Sequence, residues 1–299
     1  QPERTMSWFR SRGLTALGLA LVLPGAALAQ GPAYPPDIPD ARVETFKTVD
    51  GVELNAWILV PEGHRASDAR PAMVFFFGGG WVRGTPAHFE PQARRLTELG
   101  MVAVLADYRV LDRHGTRPAA AVEDAKSAIR WVRGHAAELG IDPARIGAAG
   151  GWSGGHLAAS TGTLPGLDAP GEDTSISSVP DAMVLFNPGV IIAPVPGVFE
   201  LDEALRERMR SPLLELSPYH HLSAATPPTL ILHGADDDLI PVSSVFAYCE
   251  RAVELGSRCE AVSYEDAGHG FFNRDPFYEP TVEEMVRFLT ELGWAGDPP

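Results

Sequence analysis

The feature that most limits the fold of this chain is a series of short, nearly unbroken apolar runs, each of strand length. "AMVFFF" (72–77), "MVAVLAD" (101–107), "RIGAAG" (145–150), "DAMVLFN" (181–187) and "TLILHG" (229–234) are of this kind. A strand with one wet face alternates apolar and polar residues. A continuous run needs cover on both faces, which a parallel sheet between two helical layers supplies. Stretches of helical period lie between the runs, at 88–100, 119–140, 242–255 and 281–292, and "CEAVSYE" adds a last strand. Upstream, "VETFKTV" and "LNAWILV" flank Asp50-Gly51, the strongest short hairpin signal. The pattern predicts an α/β fold: a mostly parallel twisted sheet with helices on both faces, opened by an antiparallel N-terminal hairpin.

The ends and the breaks in this pattern suggest an organisation. Arg10 and Arg12, the apolar run at 13–23, Pro24-Gly25 and then Ala27-Leu28-Ala29 have the layout of a signal peptide covering 1–29. Export to the periplasm or the exterior is the expectation. Residues 30–40 read as a proline-rich linker and 41–299 as one domain. At 191–226 the strand–helix alternation lapses around "FELDEALRERM", where a small cap over a site would fit. A net charge of −15 argues against nucleic acid and anionic membranes as partners, since both need clustered Lys and Arg. The two cysteines, Cys249 and Cys259, suit a disulfide in an exported chain and not a zinc site.

"AAGGWSGGHLAA" (148–159) puts a lone serine among glycines between a strand and a helix. Gly151-Trp152-Ser153-Gly154-Gly155 fits G-x-S-x-G, in which a strained turn raises a nucleophilic serine and the glycines let strand and helix approach. The helix N-terminus that follows favours developing negative charge. Such a serine needs a base, and the base an orienting acid, both later in the chain with the acid first. Asp236, Asp237 and Asp238 follow one strand, and His269, between two glycines, follows the last. Of the other histidines, His64, His114 and His135 read as loop or surface residues and His88 as the start of a helix. His156 lies behind the elbow, His233 supports the aspartate loop, and His220 and His221 belong to the insertion. That leaves His269 as the base. Trp81 and Trp152 flank the catalytic turns and are candidate substrate contacts, whereas Asp107, Tyr108, Arg109 and Asp124 read as ties at a strand end.

The motifs "VFFFGGGWVRG", "ADYRV", "DAKSAIRWVR", "GWSGGHLAA", "LHGADDDLIP" and "GHGFFN" together resemble an α/β-hydrolase of the esterase/lipase group over most of 41–293. The branch it is most similar to is that of secreted carbohydrate esterases, acetylxylan and feruloyl esterase-like. The family spacing of His-Gly, two residues, Asp, three residues and Pro selects Asp237 as the acid. The family's His-Gly-Gly-Gly loop implies Gly79 or Gly80, with the N–H of Gly154, as oxyanion donors. Two departures stand out. Phe77 replaces the loop histidine, and Gly154 stands where Ala is common, which would loosen the elbow. The resemblance implies hydrolysis of carboxylic esters through an acyl-serine, with no metal or organic cofactor. The substrate would be a small ester or an acylated polysaccharide carrying acetyl or feruloyl groups. A broad short-chain carboxylesterase, a prolyl-oligopeptidase-like peptidase and a non-catalytic hydrolase-fold binding module are the alternatives. The oligomeric state is not legible.

Overall fold

The apolar runs form the middle of one sheet. The computed structural model describes residues 33–296, except 202, 204, 205, 208, 209 and 211. The signal-peptide reading of 1–29 lies outside them. Eight strands are present among the described residues: β1 (Arg42–Val49), β2 (Val52–Leu59), β3 (Arg70–Phe76), β4 (Val102–Ala106), β5 (Ile141–Gly151), β6 (Ala182–Phe186), β7 (Thr229–Gly234) and β8 (Cys259–Tyr264). Their order is β1-β2-β4-β3-β5-β6-β7-β8, antiparallel between β1, β2 and β4 and parallel from there on. This is an α/β-hydrolase architecture with an antiparallel opening hairpin.

The helices are α1 (Glu90–Glu98), α2 (Leu111–His114), α3 (Pro118–Gly134), α4 (Ala136–Leu139), α5 (Ser153–Thr163), α6 (Val242–Glu254) and α7 (Tyr278–Glu291). The period of two along β3 divides the core into two layers. Val74 and Phe76 pack with Ile129 of α3, Leu157 of α5 and Val245 of α6, while Met73 and Phe75 pack with Leu96 of α1 and Phe288 of α7. The single long helix expected at 119–140 is two, because helical conformation lapses at His135 between Gly134 and Ala136. Gly140 closes the second at φ 65°. A disulfide joins Cys249 of α6 to Cys259 of β8.

Two segments read as appendages pack against the domain. In the proline-rich stretch Pro36 and Ile38 are buried, and Tyr34 lies under the Arg113 guanidinium (3.8 Å) with its hydroxyl bonded to Asp107. In the insertion Ile191, Ile192 and Leu216 are buried, and the Leu216 carbonyl accepts a bond from His156 Nε2 of α5 (2.7 Å). Of the helix expected around 199–209, residues 203, 206 and 207 are helical among those described.

Candidate active site

β5 and α5 meet in a turn too tight for Cβ atoms, and the contacts show which residue stands at its tip. A Cβ on Gly150 would lie 2.4 Å from the Gly154 carbonyl carbon, and one on Gly154 would lie 2.0 Å from the Phe76 carbonyl oxygen. Gly150 and Gly154 are therefore the close-packed pair of the elbow, and the residue midway between them is Trp152. Trp152 is also the strained residue, at φ 50° and ψ −110°, a conformation rare for any side chain other than glycine's hydrogen. Its carbonyl accepts the first helical bond of α5, from His156 N–H (2.9 Å).

Ser153 accordingly falls one residue past the tip, inside the first turn of α5 and fully buried. Its Oγ accepts the Gly80 N–H (2.9 Å) and lies in hydrogen-bonding reach of the Tyr108 hydroxyl, which donates to the Phe77 carbonyl (2.7 Å). Burial pushes the Tyr108 phenol up, so it stays protonated and can keep donating. Among the described residues no hydrogen bond joins Ser153 to His269. The placement of Ser153 as an exposed nucleophile is corrected here. The sequence holds two overlapping glycine pairs, 150/154 and 151/155, and the serine is centred in the pair that does not form the elbow.

The acid–base pair sits at the adjoining strand ends. His269 Nδ1–H donates to Asp237 Oδ2 (2.9 Å) and Oδ1 (3.1 Å). Asp237 is buried, whereas Asp236 and Asp238 are exposed. Asp237 also accepts from Asn187 Nδ2 (2.6 Å) and from the N–H groups of Leu239 and Ile240 (2.9 Å each). Burial alone would raise the Asp237 carboxyl; the bonds from His269, Ile240 and Leu239 outweigh it and hold the group below the usual carboxylate range. His233 Nε2–H donates to the Ile240 carbonyl (2.8 Å) and so braces the aspartate loop. The Trp152 ring meets the His269 ring edge to face at 4.7 Å. Both line a cleft of about 350 Å³ with Gly78, Gly79, His88, Phe272 and Asn273.

The glycine loop is steadied from an unexpected side. With Phe77 in place of a histidine, its ring stacks on Tyr108 at 4.0 Å, and His88 Nδ1 accepts the Gly78 N–H (3.0 Å). Burial pushes the His88 imidazole down to about 4, which keeps that nitrogen free to accept. Gly79, at φ 134°, faces the cleft, and a Cβ there would strike the Arg83 carbonyl at 2.0 Å. Gly80 spends its N–H on Ser153. The expectation that Gly154 loosens the elbow is also corrected: it lies against the carbonyls of Phe76 and Phe77, where no larger residue fits.

A family model described as BD-FAE matches residues 58–181, and one for the Prolyl oligopeptidase family matches 202–293. The apo form of Thermogutta terrifontis esterase 2 is 47% identical, over 89% of this chain and 99% of its own, with a TM-score of 0.84. This chain belongs to the α/β-hydrolase esterases. The propionate-bound form of the same esterase is likewise 47% identical, with a TM-score of 0.84 and all of that chain covered. Among curated relatives, Esterase LipC of Mycobacterium tuberculosis is 30% identical over 74% of this chain and 58% of its own length. A probable isoprenylcysteine alpha-carbonyl methylesterase of Arabidopsis thaliana is 28% identical over 76% and 51%. The chain spans about half the length of these curated relatives.

Trp81 is buried in the core, edge-on to His156 (5.1 Å), and does not line the cleft; the reading of it as a substrate contact is corrected. Arg109 forks onto Asp124 (2.8 and 2.9 Å) and Arg113 onto Asp107 (3.0 Å), so the strand-end ties are present. Among the described residues, none of the insertion lines this cleft. His88 and Asn187 were missed. Asn187 immediately follows β6 at φ 42°, and its position after "DAMVLF" on the catalytic edge was the available signal.

Proposed function

We propose that this chain hydrolyses small carboxylic esters, with His269, held by Asp237, as its proton-transfer group. The observation that carries the reading is the His269–Asp237 pair. Nδ1 is tied to a buried carboxylate, Nε2 makes no hydrogen bond among the described residues, and the ring borders a cleft beside the glycine loop. Gly79 and the N-terminus of α5 supply the partial positive charge that an oxyanion requires. The relatives named as esterases, and esterase 2 bound to propionate and to butyrate, support short acyl groups in a cleft of this size. We extend the proposal to acetyl or feruloyl esters of carbohydrate outside the cell. That extension draws on the leader-like segment and the BD-FAE match. A broad short-chain carboxylesterase is supported equally by the named relatives.

One observation favours a second reading, an ester-binding protein without turnover: the tip of the elbow is Trp152. Hydrolysis of nitrophenyl esters from acetate to octanoate, and of acetylated xylan, distinguishes the two. Turnover that falls roughly 100-fold or more in His269→Ala is the expected outcome for a general base. Equal rates in the two proteins, or none in either, would remove the hydrolytic reading.

A further inference from the structure

We propose that Trp152 occupies the place from which an attacking hydroxyl would reach the ester, so that the chain forms no acyl-enzyme and its nucleophile is water. The proposal rests on the ester reading above and assigns its attacking group. It stands on the geometry of the elbow. Residue 152 has the strained backbone and lies midway between the two glycines that touch, and its side chain borders His269. Ser153 points the other way, its buried Oγ accepting the Gly80 N–H near the buried Tyr108 hydroxyl, which donates to the Phe77 carbonyl.

Moving Ser153 to the tip is opposed by the whole of α5. A slip of one residue turns a helix by about 100°. It would take Leu157, Ala158 and Ala159 out of their fully buried positions and His156 Nε2 away from the Leu216 carbonyl. It would also bring Gly151 and Gly155 into the place of the touching pair. In the present arrangement a Cβ on Gly151 meets ring ends, of Phe272 (2.7 Å) and Phe89 (3.1 Å). One on Gly155 meets Pro188 Cβ (2.9 Å) and the Gly150 carbonyl oxygen (3.0 Å), and none of these is as close as the nearest contacts of the 150/154 pair. The serine's neighbours give it a different task, filling the donor of Gly80 that would otherwise be a buried, unpaired N–H.

Hydrolysis then runs in one sequence. The oxygen of a cleft water bonds to the ester carbonyl carbon while His269 Nε2 takes one of its protons. The tetrahedral oxyanion collapses, the bond to the alcohol oxygen breaks, and the alcohol leaves with the proton from His269. Acid and alcohol are the products, and no residue is acylated.

The test is intact-protein mass spectrometry after treatment with a fluorophosphonate, with peptide mapping of any adduct. Esterase 2 of T. terrifontis, which has been solved phosphonylated by sarin, serves as positive control. The wild-type chain is expected to stay unmodified. Trp152→Ser is expected to take up one adduct, on residue 152, and to gain at least about 100-fold in turnover with a burst of nitrophenol. A wild-type adduct on Ser153 overturns the proposal, as does a folded Trp152→Ser that takes up none. If Trp152→Ser fails to fold, the wild-type result decides alone. Wild-type protein that is neither labelled nor active removes the hydrolytic reading and leaves the assignment of Trp152 standing; labelling at Ser153 with turnover does the reverse.

Discussion

Replacing each elbow glycine by alanine tests the register of the turn without any assay of activity. On an open helix, Gly→Ala gains up to about 1 kcal/mol. At Gly154 the added Cβ would sit 2.0 Å from the Phe76 carbonyl oxygen, 2.4 Å from that of Phe77 and 2.6 Å from the Phe76 carbonyl carbon. All three are backbone atoms of the chain leaving β3, so neither rotamer change nor side-chain flexing relieves the overlap. Strand end and helix must separate by more than an ångström, in a region where Phe76, Phe77 and Ser153 are all buried. Overpacking of this kind costs roughly 1–3 kcal/mol and more when backbone must move. A net loss of about 2 kcal/mol for Gly154→Ala corresponds to a fall in Tm of about 4–8 °C for a domain of this size. At Gly155 the contacts are Pro188 Cβ at 2.9 Å and the Gly150 carbonyl at 3.0 Å, which a shift of a few tenths of an ångström accommodates. Gly155→Ala should therefore lose less than half as much. Scanning calorimetry of the two variants under one set of conditions measures the difference. A neutral Gly154→Ala beside a strongly destabilised Gly155→Ala would mean that the touching pair is 151/155 and that Ser153 is at the tip.

Burial holds His156 neutral down to about 4, partly offset by its bond to Leu216, against an ordinary value of 6.5. Because the folded value is the lower one, its stabilising contribution is complete above pH 6.5 and is lost as the pH falls towards 4. Between pH 7 and 5 the loss is about 2 kcal/mol. Urea midpoints should show the wild type falling by that much more than His156→Phe over this interval, and parallel falls would refute the assignment. The Cys249–Cys259 bridge closes a loop of sequence separation 10, so Cys249→Ser with Cys259→Ser should cost about 2–3 kcal/mol. Denaturation without reductant measures it, and a loss below about 0.5 kcal/mol would show that the bridge constrains little.

How far the sequence could be read followed how local each signal was. Strand runs such as "AMVFFF" and "TLILHG" are covered on both faces, and this demand shows in the runs themselves; β3 and β7 lie where those runs fall. Asp237 and His269 follow strands whose ends share one edge, so chain order alone brought them close. The elbow was different. Its glycines sit in two overlapping pairs, and the choice between them depends on the Phe76 carbonyl, contributed by a strand more than seventy residues earlier. A serine centred in one pair then supplied a motif that the folded turn does not use. His88 escaped for the same reason: its bond to Gly78 crosses from a short helix to the glycine loop, with no periodicity to mark it.

Asp237 has a structural duty at the rim of the sheet besides its bond to the base. Asp237 accepts from Asn187 after β6, from the backbone of the loop after β7, and from His269 after β8. It therefore links three neighbouring strand ends, and a buried carboxylate whose oxygens accept from so many donors is structurally costly to remove whether or not a reaction runs. A chain can thus lose its attacking hydroxyl and still keep the pair, because the pair holds the rim of the sheet together. The residues free to report on chemistry are those with no such duty. Trp152, half-buried in a strained conformation at the mouth of the cleft, is the clearest of them, and the side chain found there is an aromatic ring set against the base.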